Sequence, residues 1–152
     1  MKTVIKLVAS GLYLGYSPIA PGTTGSILGV LIFLQMHEFF LLYVIACLLL
    51  VFLGFLTAGI AEKLYGIKDP RKIVIDEIAG MCLVYLGLPA RLWVILTGFF
   101  IYRLLDIIKP PPAKQAEKLN GASGIMLDDI ICAVYTNVIL QVLIRLPLKI
   151  GS

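Results

Sequence analysis

Two adjacent acidic pairs, Asp76-Glu77 and Asp128-Asp129, are the residues in this sequence best placed to do chemistry. Each is enclosed by aliphatics, in Ile73-Val74-Ile75-Asp76-Glu77-Ile78 and in Met126-Leu127-Asp128-Asp129-Ile130-Ile131. Neighbouring carboxylates repel one another unless something positive intervenes. Oxygen donors with few nitrogen or sulfur ligands nearby favour a hard cation such as Mg2+. The plainer reading pairs these acids with Lys68, Arg71, Lys72 and Arg103 at a solvated rim, but aliphatic flanks suit such a rim poorly. Asp106 lies three residues after Arg103 and three before Lys109, which puts all three on one helical side. They form either a structural ion-pair ladder or a metal-ligating Asp106 between two phosphate donors, a planar guanidinium fork and a point charge. Asp69 lies ahead of the first pair and joins Asp76, Glu77, Asp106, Asp128 and Asp129 as a candidate ligand.

The segment Pro18-Ile19-Ala20-Pro21-Gly22-Thr23-Thr24-Gly25-Ser26 opens a helix. Backbone N–H groups at a helix start, with the Thr23 and Ser26 hydroxyls, make an anion cradle, although Thr23 or Thr24 also serves as an ordinary N-cap. His37, beside Glu38, is the only histidine, so a histidine nucleophile or a Ser-His-Asp set is not expected. Neither a DxDxT nucleophile motif nor a GxxxxGK[ST] loop is present. What remains is metal-assisted hydrolysis at phosphorus, with water or a carboxylate as the nucleophile.

These groups must be positioned by membrane helices. The 152 residues are 60% hydrophobic and 14% charged, with mean hydropathy +1.00, whereas charged residues make up about a quarter of a soluble domain. Phe39 to Ala61 carries no charge and is long enough to span a hydrocarbon core of about 30 Å. The expected fold is all-α, one domain over 1–152: a polytopic bundle of about four membrane helices with a short interfacial helix at the N-terminus. The apolar pattern places helices at Thr3 to Leu14, Gly25 to Met36, Phe39 to Leu64, Val74 to Leu86, Arg91 to Ile108 and Met126 to Leu146. Pro89 and Pro110-Pro111-Pro112 are stops. No cleavable signal peptide is expected. Cys47, Cys82 and Cys132 have no CxxC or metal spacing and read as packing residues.

Basic residues set the orientation. Lys2 and Lys6, then Lys63, Lys68, Arg71 and Lys72, then Arg103, Lys109, Lys114 and Lys118 belong to one side, expected to be cytoplasmic. His37-Glu38 and Arg91 fall on the other, with Arg145 and Lys149 as exceptions to the rule. All the candidate acids and the Ser17 to Ser26 loop then share the cytoplasmic side. Ionisable groups at membrane depth face a protein interior or a wet cavity and mark function. Two other classes stay open on the residues alone, a divalent-cation carrier and a structural membrane subunit. The first predicts acids at mid-membrane and on both faces. The modest charge of +4 gives no reason to expect a nucleic-acid partner.

Four blocks, in order, resemble the phosphatidylglycerophosphatase A family of bacterial lipid phosphatases. They are Ser17-Pro18-Ile19-Ala20-Pro21-Gly22-Thr23-Thr24-Gly25-Ser26; Asp69-Pro70 with Val74-Ile75-Asp76-Glu77-Ile78-Ala79-Gly80; Tyr102-Arg103-Leu104-Leu105-Asp106-Ile107-Ile108-Lys109-Pro110-Pro111-Pro112; and Gly124-Ile125-Met126-Leu127-Asp128-Asp129. The resemblance implies an inner-membrane, Mg2+-dependent enzyme that hydrolyses phosphatidylglycerophosphate to phosphatidylglycerol and phosphate, with the acids of these blocks in its active site. On that reading Asp76, Glu77, Asp106, Asp128 and Asp129 hold metal, with Asp69 nearby, and Arg103, Lys109, Thr23 and Ser26 hold the phosphate. Two positions depart from the family pattern: Tyr102 stands where Phe is common, and Cys132-Ala133 replaces the expected Ala-Gly.

Overall fold

The structure, a computed structural model, describes residues 1–146 and contains seven α-helices, a 3-10 turn at Leu14–Tyr16 and, among the described residues, no strand. The helices are α1 (Lys2–Ala9), α2 (Pro21–Met36), α3 (Phe40–Tyr65), α4 (Ile75–Val84), α5 (Leu92–Ile108), α6 (Ala113–Ala116) and α7 (Ala122–Arg145). Lys149 lies outside the described residues. Sequence punctuation explains most of the ends. Pro21 starts α2, where a missing N–H costs nothing. Gly66, at φ 71°, closes α3. Lys109 ends α5 immediately before the three prolines.

Three boundaries differ from the apolar pattern by four residues or more. The first helix stops at Ala9, not Leu14, because Gly11, Leu12 and Tyr13 all take positive φ. Ser10 Oγ accepts the Tyr13 N–H there at 3.2 Å, and the Ala9 carbonyl accepts the Val74 N–H at 2.9 Å. This turn therefore ties the start of α4 to the end of α1, and apolar periodicity carries no sign of it. Helices α2 and α7 each begin four residues early, since Pro21, Gly22 and Gly121-Ala122 read as loop by composition.

Helix α4 is the hub. It packs against α2, α3, α5 and α7, and nearly all its side chains are buried. Gly29 permits the α2–α4 contact: a Cβ there would lie 2.7 Å from the Met81 Cβ and 2.9 Å from the Ile78 carbonyl oxygen. At only 10 residues, α4 is about 15 Å long, and its last carbonyls fall inside the protein. Asn137 of α7 satisfies them, donating to Val84 O at 2.8 Å and Leu86 O at 3.0 Å. A short helix can end at membrane depth only when its freed backbone groups are met in this way.

Two helices, α3 and α7, are long and apolar enough to cross a membrane, and α2, at 16 residues, is apolar but shorter. The most apolar 18-residue stretch of α3 has mean hydropathy 2.8 yet is only 22% buried. Leu41, Leu48, Leu49, Phe52 and Leu56 point outward from it. A contiguous apolar surface of that size suits lipid rather than water. The chain's up-and-down course brings the starts of α2, α4 and α7 and the ends of α3 and α5 to one end of the bundle. Every candidate site residue lies there.

Candidate active site

Asp76 and Glu77 occupy the first turn of α4, where the helix dipole favours negative charge. Asp129 reaches them from the second turn of α7. One carboxylate oxygen from each of the three lies within 4.8 Å of the others. Asp76 is 8% exposed and Asp129 3%. Asp76 Oδ1, Glu77 Oε2 and Asp129 Oδ2 are buried with no hydrogen-bond partner among the described residues. Buried acceptors without donors are costly, and three acids around one point more so. An all-oxygen set of this kind could hold a hard divalent cation, which would offset the clustered negative charge.

The other candidate acids each have a partner of their own. Asp106 accepts from Arg103 Nη1 at 2.8 Å and sits beside Asp129. Asp128 faces Lys109, whose Nζ donates to it at 2.6 Å and to Glu117 Oε1 at 2.8 Å. Partial burial lowers the affinity of Lys109 for its proton. The two carboxylates outweigh that, and its pKa is held above the ordinary lysine value. Asp69 is exposed in the turn after α3, at φ 43°, with its N–H donating to Glu62 Oε1 at 3.0 Å.

The anion-binding candidates divide similarly. Arg103 Nη1 also donates to the buried Ser26 hydroxyl at 3.4 Å, which links α5 to α2. Thr24 Oγ1 donates back to Pro21 O at 2.6 Å, while Thr23 is half-buried in the same first turn. A cavity of about 300 Å3 opens over this end of α2, lined by Pro18, Pro21, Gly22, Arg71, Glu77 and Arg103. Gly22 shapes its floor: a Cβ there would collide with Glu77 Oε1 and come within 3.2 Å of Arg103 Nη2. Lys109 is held away from this mouth by its two acids.

Residue typing alone missed three participants. Arg71 was weighed only as a rim base, yet it shares the cavity with Arg103. Its place just after Asp69-Pro70, five residues before Asp76, was the available signal. Glu117 reaches Lys109 because α6 folds the chain back, and no periodicity announces that. Tyr102 is apolar by pattern, but its hydroxyl is buried without a partner among the described residues.

Residues 7–144 match the family described as Phosphatidylglycerophosphatase A. A Bacteroides thetaiotaomicron protein named "Putative phosphatidylinositol-3-phosphatase" is 32% identical, over 90% of this chain and 91% of its own length. The phosphatidylglycerophosphatase A of Escherichia coli K12 is 35% identical over 84% of this chain and 76% of its own. That of Haemophilus influenzae is 34% identical over 89% and 85%. No solved structure matches.

Proposed function

Because the chain belongs to the phosphatidylglycerophosphatase A family and is thereby a phosphatase, we propose that it hydrolyses phosphatidylglycerophosphate to phosphatidylglycerol and inorganic phosphate with Mg2+ at the cytoplasmic face of a bacterial inner membrane. The observation that carries the metal reading is the trio of buried, unpartnered carboxylates at Asp76, Glu77 and Asp129. The cytoplasmic orientation rests on the basic residues, from Lys2 to Lys118, gathered at the site end of the bundle. Helices α2, α3, α5 and α7 are the four membrane helices in this reading, and α1 lies at the interface.

Asp76, Glu77 and Asp129, with Asp106 beside Asp129, would hold the cation, which would supply charge neutralisation at phosphorus and activation of the nucleophile. The chain's own groups do the rest. Asp106 and Ser26 both hold Nη1 of Arg103, which leaves Nη2, beside Gly22, for the phosphate oxygens. Gly22, lacking a side chain, lets the phosphate approach the first turn of α2, where Thr23 and the backbone N–H groups receive it. Lys109 neutralises Asp128, so that the α7 acids present one free carboxylate to the site rather than two. Asp69, in its exposed turn, stands near Lys109 and Asp106 at the outer edge. Hydrolysis breaks the terminal phosphoester bond, returning the headgroup hydroxyl and phosphate while the acyl chains stay in the bilayer.

Purified protein is expected to release phosphate from phosphatidylglycerophosphate with Mg2+, to stop in EDTA, and to recover when Mg2+ is restored in excess. Release untouched by EDTA would remove the cation from this reading; no release with any divalent metal would remove the activity.

Both kinds of named substrate among the relatives carry a phosphodiester at the membrane and a phosphomonoester beyond it. Arg71, exposed and without an acid partner among the described residues, is suited to the phosphodiester while Arg103 takes the monoester. Arg71→Ala should raise KM for phosphatidylglycerophosphate about five- to tenfold, the scale of one solvent-accessible charged hydrogen bond. Steady-state kinetics against a soluble phosphomonoester, which lacks the diester, should show no such rise. Equal losses on both substrates would count against a phosphodiester contact.

A further inference from the structure

Tyr102 lies on α5 immediately before Arg103, and none of its surface is exposed. The hydroxyl is buried and has no hydrogen-bond partner among the described residues. A buried tyrosine ordinarily finds an acceptor for its O–H, so an orphaned one needs a reason. The hydroxyl rests on Gly80 of α4, one helical turn beyond Asp76, and a Cβ at that position would collide with it. The hydroxyl lies within the field of the carboxylates of Asp129, Asp106, Glu77 and Asp76. Donor and acceptors are thus complementary. A buried O–H lacks an acceptor, and in the neighbouring acid cluster Asp76 Oδ1, Glu77 Oε2 and Asp129 Oδ2 lack donors.

We propose that Tyr102 is a positioning residue for the cation site: when the cation draws the carboxylates together, the Tyr102 hydroxyl donates to Asp129 and fixes the orientation in which that carboxylate ligates. The inference rests on the reading of Asp76, Glu77 and Asp129 as the metal site. A carboxylate that ligates through one oxygen and accepts a hydrogen bond through the other is held in its ligating orientation once the metal is bound, which strengthens binding. Gly80 is part of the same device, since only the absence of a side chain there lets the phenol reach the cluster. Arg103, the next residue, engages Ser26 and Asp106, so α5 delivers a cation-side group and a phosphate-side group from consecutive positions.

The test uses the purified full-length chain in detergent, with Mn2+ as the probe. Free Mn2+ is followed by its electron paramagnetic resonance signal, and thermal unfolding is recorded without added metal. Tyr102→Phe keeps the ring and removes only the hydroxyl. The dissociation constant for Mn2+ should rise about tenfold, the lower end of what loss of a group supporting a metal ligand causes. The metal-free unfolding temperature should hold or rise, because an unpartnered buried donor has been removed. An unchanged Mn2+ dissociation constant in Tyr102→Phe, with the parent binding normally, overturns this inference and leaves the metal site standing. A lower metal-free unfolding temperature with unchanged affinity assigns Tyr102 to packing and overturns it equally. Failure of the parent to bind Mn2+ overturns both.

Discussion

Asp129→Asn should cut phosphate release by at least a hundred- to a thousandfold while raising the unfolding temperature of the metal-free protein. The two effects have one cause. Asp129 is almost fully buried, has an oxygen without a donor, and faces Asp76, Glu77 and Asp106. Asparagine keeps its shape but replaces one anionic oxygen with an amide, so a hard cation loses a charged ligand and the rate loss approaches that of deleting a central electrostatic contact. In the absence of metal the same change relieves like-charge repulsion and offers an N–H to a neighbouring carboxylate, which stabilises. An acid held in place only as a structural ion-pair partner gives the opposite stability change. Phosphate release and thermal unfolding, measured on one preparation, separate the two accounts: a destabilised variant that retains activity contradicts the role assigned here.

The second large effect is expected at Arg103. Its guanidinium reaches Asp106 at 2.8 Å and Ser26 at 3.4 Å while lining the cavity mouth. Lysine retains the charge but not the fork, and cannot hold Asp106 and Ser26 while presenting further donors to phosphate. Arg103→Lys should therefore lower kcat/KM on phosphatidylglycerophosphate on the order of a hundredfold, and Arg103→Ala about a thousandfold. Unlike Asp129→Asn, both variants should bind Mn2+ nearly as tightly as the parent, because Arg103 belongs to the phosphate side of the site. Lost Mn2+ affinity in Arg103→Lys would mean that this arginine organises the cation site instead.

The site's general character was legible because acids between aliphatics are rare enough to demand a reason. Which acid does what was not. Asp128 and Asp129 are indistinguishable by neighbours in sequence, yet adjacent helical residues diverge by about 100°. Asp129 faces α4 and Asp128 faces Lys109. Likewise Arg103 and Lys109 looked like twin phosphate donors, but Glu117, brought back by the short α6, takes part of Lys109's capacity. The long apolar run of α3 could be read directly. The turn after α1 could not, since Leu12 and Tyr13 take a positive φ that neither residue type signals. Helices α2 and α5, at 16 and 17 residues, are about 24–26 Å long. They fall just short of the core thickness on which span counting relies.

Anomalous diffraction from crystals soaked in Mn2+ tests the central claim most directly. The account predicts a peak about 2 Å from carboxylate oxygens of Asp76, Glu77 and Asp129, at the floor of the cavity that holds Arg103. A fully bound ion held elsewhere, or density showing those three carboxylates turned apart around no ion, would contradict it.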